Sequence, residues 1–129
     1  MNDQPTTFRT LLKSKIHRAT LTGKELNYEG SIAIDRLLMD AADLVAGEQV
    51  HVLNLNNGSR LITYVIEAPA GSGTMLLNGP AARLGEAGDL VVIISYAQVA
   101  ASAVAQFEAR VVHVDSTNRL RRTRRPCLR

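Results

Sequence analysis

The chain has little of several things. It holds one cysteine, no tryptophan and only 4% aromatic residues in 129. A single cysteine, Cys127, excludes an internal disulfide framework and agrees with a reducing compartment. With so few rings, the core has to be built from Val, Ile, Leu and Ala, within a hydrophobic share of 46%. Long hydrophobic runs are missing as well. Leu90-Val91-Val92-Ile93-Ile94 is far shorter than the roughly 20 residues a membrane helix needs. Residues 1–7 are polar and carry no apolar signal segment. A cytoplasmic location is therefore expected, with no membrane partner. The length suits one compact domain with an adequate core.

Acidic residues are missing from one region. Residues 119–129 hold six arginines and no acid, so residues 1–118 carry nine cations against 12 acids, a net −3 under the overall +3. The body is slightly acidic and the end is basic. An arginine-rich terminus reads either as a solvated, flexible tail or as a nucleic-acid arm. The body lacks the interleaved aromatics that stack on bases, which makes nucleic acid an unfavoured partner.

What is present is a series of short extended segments separated by turn residues. Phe8 to Thr22 reads as extended, and Thr22-Gly23-Lys24 as a turn. Ile32 and Ile34 read as strand residues, and Asp35 as the N-cap of a short helix running through Leu37, Leu38, Ala41, Ala42 and Leu44. Val50 to Leu53 and Arg60 to Ile66 flank Asn57-Gly58, the strongest hairpin signal in the chain. Within the returning strand, alternation puts Arg60, Ile62 and Tyr64 on one face, so a bulge or twist is needed for Thr63 to join Tyr64. Thr74 to Leu77 is a short strand, and Asn78-Gly79-Pro80-Ala81-Ala82 a turn opening a helical stub. Leu90 to Ser95 is a strand buried on both faces, Ala97 to Phe107 fits helix or loop, and Ala109 to Val114 is a last strand. Many short strands with little helix predict a mainly β fold, a small closed barrel. The domain boundaries expected are an extension at 1–7, a barrel at 8–115 and a flexible basic tail at 116–129.

Gly30-Ser31 sits at a corner between a polar turn and an apolar strand. Glycine leaves its carbonyl carbon unshielded, and the next residue's hydroxyl reaches that carbonyl if the turn is strained. Attack of Ser31 on Gly30 would turn the amide into an ester. Elimination and hydrolysis would then leave a pyruvoyl group at position 31. Gly and Ser are the commonest turn residues, and the dipeptide alone favours an inert turn.

Further blocks accompany it: Lys15-Ile16-His17-Arg18, Tyr28-Glu29-Gly30-Ser31, Asn57-Gly58 followed by Arg60, Thr63 and Tyr64, Asn78-Gly79 with Ala81 and Ala82, and Gly88-Asp89 before an apolar strand. Together, over residues 8–115, they resemble the aspartate 1-decarboxylases, pyruvoyl enzymes that make β-alanine for pantothenate. The resemblance implies a double-psi β-barrel, a homotetramer with active sites between subunits, and a proenzyme that cleaves itself between Gly30 and Ser31. It implies a covalent pyruvoyl cofactor derived from Ser31, which takes the amine of L-aspartate as a Schiff base, with neither pyridoxal phosphate nor a metal.

By the same resemblance Tyr64 is the proton donor and Thr63 acts in processing and at the substrate. Substrate binding falls to Lys15, Arg60, Thr63, Asn78, Gly79, Pro80 and Ala81. An arginine can pair with a carboxylate in bidentate fashion; which of Arg60 and Lys15 meets which carboxylate is left open, as is the choice between structural and substrate roles for His17. Three residues depart from the family pattern: Ile32 where cysteine is frequent, Leu53 where an aromatic is frequent, and Arg83 where histidine is frequent. Family members differ in needing a maturation factor, and these residues do not decide it. Two other readings compete, a nucleic-acid-binding barrel using the basic tail and an unprocessed scaffold without activity.

Overall fold

The computed structural model describes residues 5–127. The expectations for the extension at 1–7 and the tail at 116–129 lie outside the described residues at 1–4 and 128–129.

Nine strands form one sheet. In chain order they are β1 (Phe8–Thr20), β2 (Gly23–Glu25), β3 (Ser31–Asp35), β4 (Gln49–Asn54), β5 (Arg60–Ala68), β6 (Met75–Asn78), β7 (Leu90–Ala100), β8 (Arg110–Val114) and β9 (Leu120–Arg124). A single short helix, α1 (Arg36–Ala42), and two 3-10 turns, Gly79–Leu84 and Ala101–Gln106, complete the described residues. The sheet order is β2-β6-β3-β5-β4-β7-β1-β8-β9. The mainly β architecture expected from the short alternating segments is present.

The sheet curls round one core. Thr22, just past β1 near one end of that order, donates its amide to Met75 of β6 near the other (2.8 Å) and accepts the Met75 amide on its hydroxyl (3.0 Å). The enclosed cluster is aliphatic, with Ile16, Leu21, Ile32, Ile34, Leu38, Val50, Val52, Val65, Met75, Leu77, Val91 and Ile93 all buried. Each fully buried Ile, Leu or Val contributes about 1.5–3 kcal/mol. No ring is needed in this core.

Asp35 caps α1 by accepting the Leu37 amide (2.9 Å), and also takes the amides of Gly71 (2.9 Å) and Gly73 (2.8 Å). One buried carboxylate thus ties β3, α1 and the loop before β6 together. The helix stops at Ala42, two residues before Leu44, because Asp43 turns left-handed at φ 58°. Asn54 performs a similar service at the β4–β5 hairpin. Its side chain accepts from the amides of Asn56 (2.8 Å) and Asn57 (3.2 Å) and donates to Leu84 O (3.2 Å) and to Asp89 (2.9 Å). The connection is therefore a five-residue loop, residues 55–59, rather than a two-residue turn.

Three elements differ from the sequence reading. The segment read as a turn at Thr22-Gly23-Lys24 contains β2, held by parallel pairing of Gly23 with Leu76 and Lys24 with Leu77. Strand β7 runs to Ala100, five residues past Ser95, because β1 pairs with it as far as Phe8 with Ala100. The basic segment read as a flexible tail contains β9, which pairs antiparallel with β8 although all five of its residues are exposed. Asn118 pins the preceding turn. It donates to the carbonyls of Thr20 and Gly73 (both 2.8 Å) and accepts the Thr20 amide (2.8 Å).

Candidate active site

Register brings Gly30 and Ser31 to a fixed place. Ser31 pairs with Asn78 across the antiparallel β3–β6 ladder. On the other side, the parallel β3–β5 ladder begins with Ile32 opposite Val65. One residue earlier on each strand sets Ser31 level with Tyr64, and Gly30 level with Thr63. Because β3 pairing begins only at Val65, β5 presents an open edge from Leu61 to Tyr64. Side chains of both faces can border a cleft there, and Leu61, Ile62, Thr63 and Tyr64 all do. This open edge resolves the alternation problem without a bulge between Thr63 and Tyr64.

The cleft has a volume of about 410 Å³, and its other walls are Gly30, Pro80, Ala81 and Leu84. Ser31 is fully buried at its inner side. Its hydroxyl donates to Glu29 O (3.1 Å) and accepts from the Asn78 side-chain amide (3.1 Å). Asn78 is also buried, so this contact is shielded from water. Gly79 has φ 63°, and a Cβ there would stand 2.7 Å from Gly30 N and Tyr28 O. Only glycine lets the backbone after Asn78 lie this close to the backbone at Gly30. The 3-10 turn Gly79–Leu84 then closes the cleft, its far end fixed by the Asn54 and Asn57 amides on Leu84 O (3.2 and 3.0 Å).

Tyr64 is 37% exposed and Ile62 61% exposed, so the mouth is open and apolar. Arg60 starts β5, four residues or about 13 Å along the strand from Tyr64, and does not line the cleft. Leu53 stands directly across from it on β4. Lys15 lies elsewhere, lining a second cleft with Leu12, His17, Val111, His113, Arg124 and Pro126. The structure therefore gathers Gly30, Ser31, Thr63, Tyr64, Asn78, Gly79, Pro80 and Ala81 in one chain and leaves Arg60 and Lys15 outside. Leu61, Ile62 and Leu84 were not singled out from the sequence, since an apolar wall residue has the same signature as a core residue. Ile32 is fully buried in the core and Arg83 is exposed on the 3-10 turn.

A sequence model of the aspartate decarboxylase family matches residues 7–121. The chain belongs to this family. The aspartate 1-decarboxylase of Leptothrix cholodnii is 56% identical over 117 residues, covering 91% of this chain and 89% of that one. Aspartate 1-decarboxylase 1 of Gloeobacter violaceus is 57% identical over 112 residues, covering 87% and 95%. Among solved structures, the computationally designed msDPBB_sym2 protein is similar at a TM-score of 0.43 and 20% identity, covering 66% of this chain and 96% of that one. The family is one of enzymes, as its members' names state. The region of this decarboxylase-family chain that the family model matches runs from just before β1 into β9, so it includes the basic end as far as residue 121.

Proposed function

We propose that the chain cleaves itself between Gly30 and Ser31, converts Ser31 to a pyruvoyl group and then decarboxylates L-aspartate to β-alanine, the precursor used for pantothenate. The observation that carries this reading is the buried Ser31 hydroxyl held between Glu29 O and the Asn78 amide, with Gly79 pressed against Gly30. In the cleavage step the Ser31 oxygen attacks the Gly30 carbonyl carbon and the Ser31 nitrogen leaves as an amine. Elimination breaks the new ester at the Ser31 Cβ, and water releases that nitrogen as ammonia. Burial favours the step because the neutral hydroxyl and carbonyl are held without competing water. Thr63, level with Gly30, is positioned to hold the Gly30 carbonyl.

The residues fit a small ketone-bearing group at position 31. The Asn78 amide that now donates to a hydroxyl would donate to a carbonyl oxygen, and the cleft walls bring no charged side chain. When present, such a group supplies a carbonyl that takes the substrate amine and draws off the electrons released with carbon dioxide. Tyr64, on the neighbouring strand at the cleft, delivers the proton from its phenol to the carbon that has lost carbon dioxide. The backbone from Gly79 to Ala81 binds the substrate along the 3-10 turn. Arg60, on the same strand as Tyr64 but outside the cleft of one chain, is assigned the retained carboxylate because its guanidinium can pair with it in bidentate fashion. Lys15, outside the cleft of its own chain, supplies the second positive charge from a neighbouring copy in a homotetramer with sites between subunits. The departing carboxylate meets no strong clamp, since tight ground-state binding of its charge would raise the barrier.

The assay is formation of β-alanine and carbon dioxide from L-aspartate by purified protein, without added pyridoxal phosphate. Turnover unaffected by pyridoxal phosphate is expected; no product from fully cleaved protein would reject the reading.

A further inference from the structure

A third cleft, toward the β1, β8 and β9 end of the sheet order, has three arginines and two histidines in its wall. It is lined by His17, Arg18, Leu90, His113, Val114, Asp115, Ser116, Arg121 and Arg122, with a volume of about 780 Å³. It shares no lining residue with the cleft at Gly30 and Tyr64.

Two irregularities of the backbone aim cations into it. Strand β1 advances from Ile16 to Ala19 while β7 advances only from Ile93 to Val91, so β1 carries an extra residue at His17 and Arg18. Arg18 takes φ 60° there, a left-handed conformation that a side chain strains. On β9, His113 pairs with Arg122 but Val114 pairs with Leu120, so Arg121 is the extra residue of a second bulge. Regular alternation would send Arg121 and Arg122 to opposite faces. The bulge lets these consecutive arginines line the same cleft, and bulges of this kind re-aim side chains next to functional sites.

The charge gathered there is not neutralised by the chain. The five ion pairs among the described residues involve none of Arg18, Arg121 and Arg122. Asp115, the one acid in the wall, has its Oδ1 taken by the amides of Thr117 (2.9 Å) and Arg119 (3.0 Å) and by the Thr117 hydroxyl (2.9 Å), and its single charge faces three arginines. His17 and His113 meet edge to face at 5.5 Å, and His17 Nδ1 and His113 Nε2 are buried without a hydrogen-bond partner. Both imidazoles are held below their ordinary pKa, first by desolvation and then by neighbouring cations, among them Lys15 for both rings. The surroundings are electropositive and short of acceptors.

We infer that this cleft is a binding site for a small phosphate-bearing anion with several charges, held by the forked donors of Arg18, Arg121 and Arg122 and by Ser116. Arginine forks match phosphate oxygens in bidentate fashion. The concave shape favours a compact ligand over a nucleic-acid backbone, which would track a ridge or groove. The inference does not rest on the chemistry proposed at Ser31, although His17 and His113 also border the cleft that holds Lys15.

The test uses the full chain and sodium tripolyphosphate as probe, titrated by calorimetry at fixed ionic strength, with inorganic phosphate and sulfate as weaker comparators. Saturable binding of one probe per chain is expected. The paired substitution Arg121→Ala and Arg122→Ala should weaken it by at least about tenfold, the scale of losing charge-assisted hydrogen bonds, while Arg83→Ala, on the other face, should not. Arg18→Gly relieves the left-handed strain while removing a cation. It should leave a folded protein of equal or higher melting temperature that binds the probe more weakly. Binding unaltered by the paired and the Arg18 substitutions, or non-saturable binding that simply increases with polyanion length, would overturn the cleft as a site.

Discussion

The two ends of the sheet solve opposite problems. At the β3, β5 and β6 end, the Ser31 hydroxyl meets one backbone carbonyl and one side-chain amide beside largely aliphatic walls, with no charged group lining the cleft. At the β1, β8 and β9 end, arginines and histidines crowd a larger cleft whose single acid is committed to its own turn. Strand pairing is regular around Ser31 and bulged around Arg18 and Arg121. A neutral, dry environment suits a reaction between uncharged groups of one backbone, whereas strained and bulged strands suit the capture of charge from outside. One sheet can serve both because the core between them is continuous and aliphatic.

The largest effect expected from breaking this contrast is at Ser31. Ser31→Ala should give one uncut chain without decarboxylation, and tripolyphosphate binding at the far cleft should be unaltered; loss of both on electrophoresis and calorimetry would show the ends are coupled. Next comes Tyr64→Phe, which should still be cleaved but turn over about 10²- to 10⁴-fold more slowly, the range for a removed general acid. An unaltered rate in the cleaved variant removes Tyr64 from proton delivery. Gly79→Ala follows. A left-handed non-glycine residue costs about 1–2 kcal/mol, and the new methyl meets Gly30 N at 2.7 Å. Lower thermal stability and slowed cleavage are expected; cleavage at the normal rate would mean that the close approach does not hold the Gly30–Ser31 peptide.

The smallest effect concerns acid. Burial alone would raise the pKa of Asp35, but the amides of Gly73, Leu37 and Gly71, together with Arg119, bring it below the ordinary 3.8. Because the folded value lies below the unfolded one, this stabilisation is present above 3.8 and is lost as pH falls through the folded value. Asp89 and Asp115 are lowered too, Asp89 chiefly by the Asn54 side chain and Asp115 chiefly by the Arg119 amide. Melting temperature measured against pH should therefore drop below pH 3.8, and Asp35→Asn should be less stable at neutral pH with a shallower, though not flat, acid limb. An acid limb as steep as that of the parent chain would contradict the cap.

The sequence made the reaction end more legible than the basic end, for physical reasons. Asp35 before an apolar helix and Asn57-Gly58 between two strands are local signals, and both elements form there, the helix two residues shorter and the hairpin through a five-residue loop. The blocks at Gly30, Thr63 and Asn78 are separated in sequence but meet through strand register. By contrast β2 and β9 have no apolar periodicity; β2 depends on parallel pairing with a distant strand, and β9 on pairing with β8. Six arginines without an acid look like a solvated tail until β8 orders Leu120–Arg124, which holds three of them. The resemblance puts Lys15 in one site with Arg60 and Tyr64, yet strand order sets β1 three positions from β5. The bulges that gather Arg18 and Arg121 leave no trace in composition at all.

The central claim is that the Gly30–Ser31 peptide is chemically active. An intact mass spectrum of the purified protein under denaturing conditions tests it most directly. The account predicts two chains that meet between Gly30 and Ser31, the larger beginning with a pyruvoyl group and lacking the nitrogen of an N-terminal serine. A single uncut chain that nevertheless releases carbon dioxide from L-aspartate would contradict it.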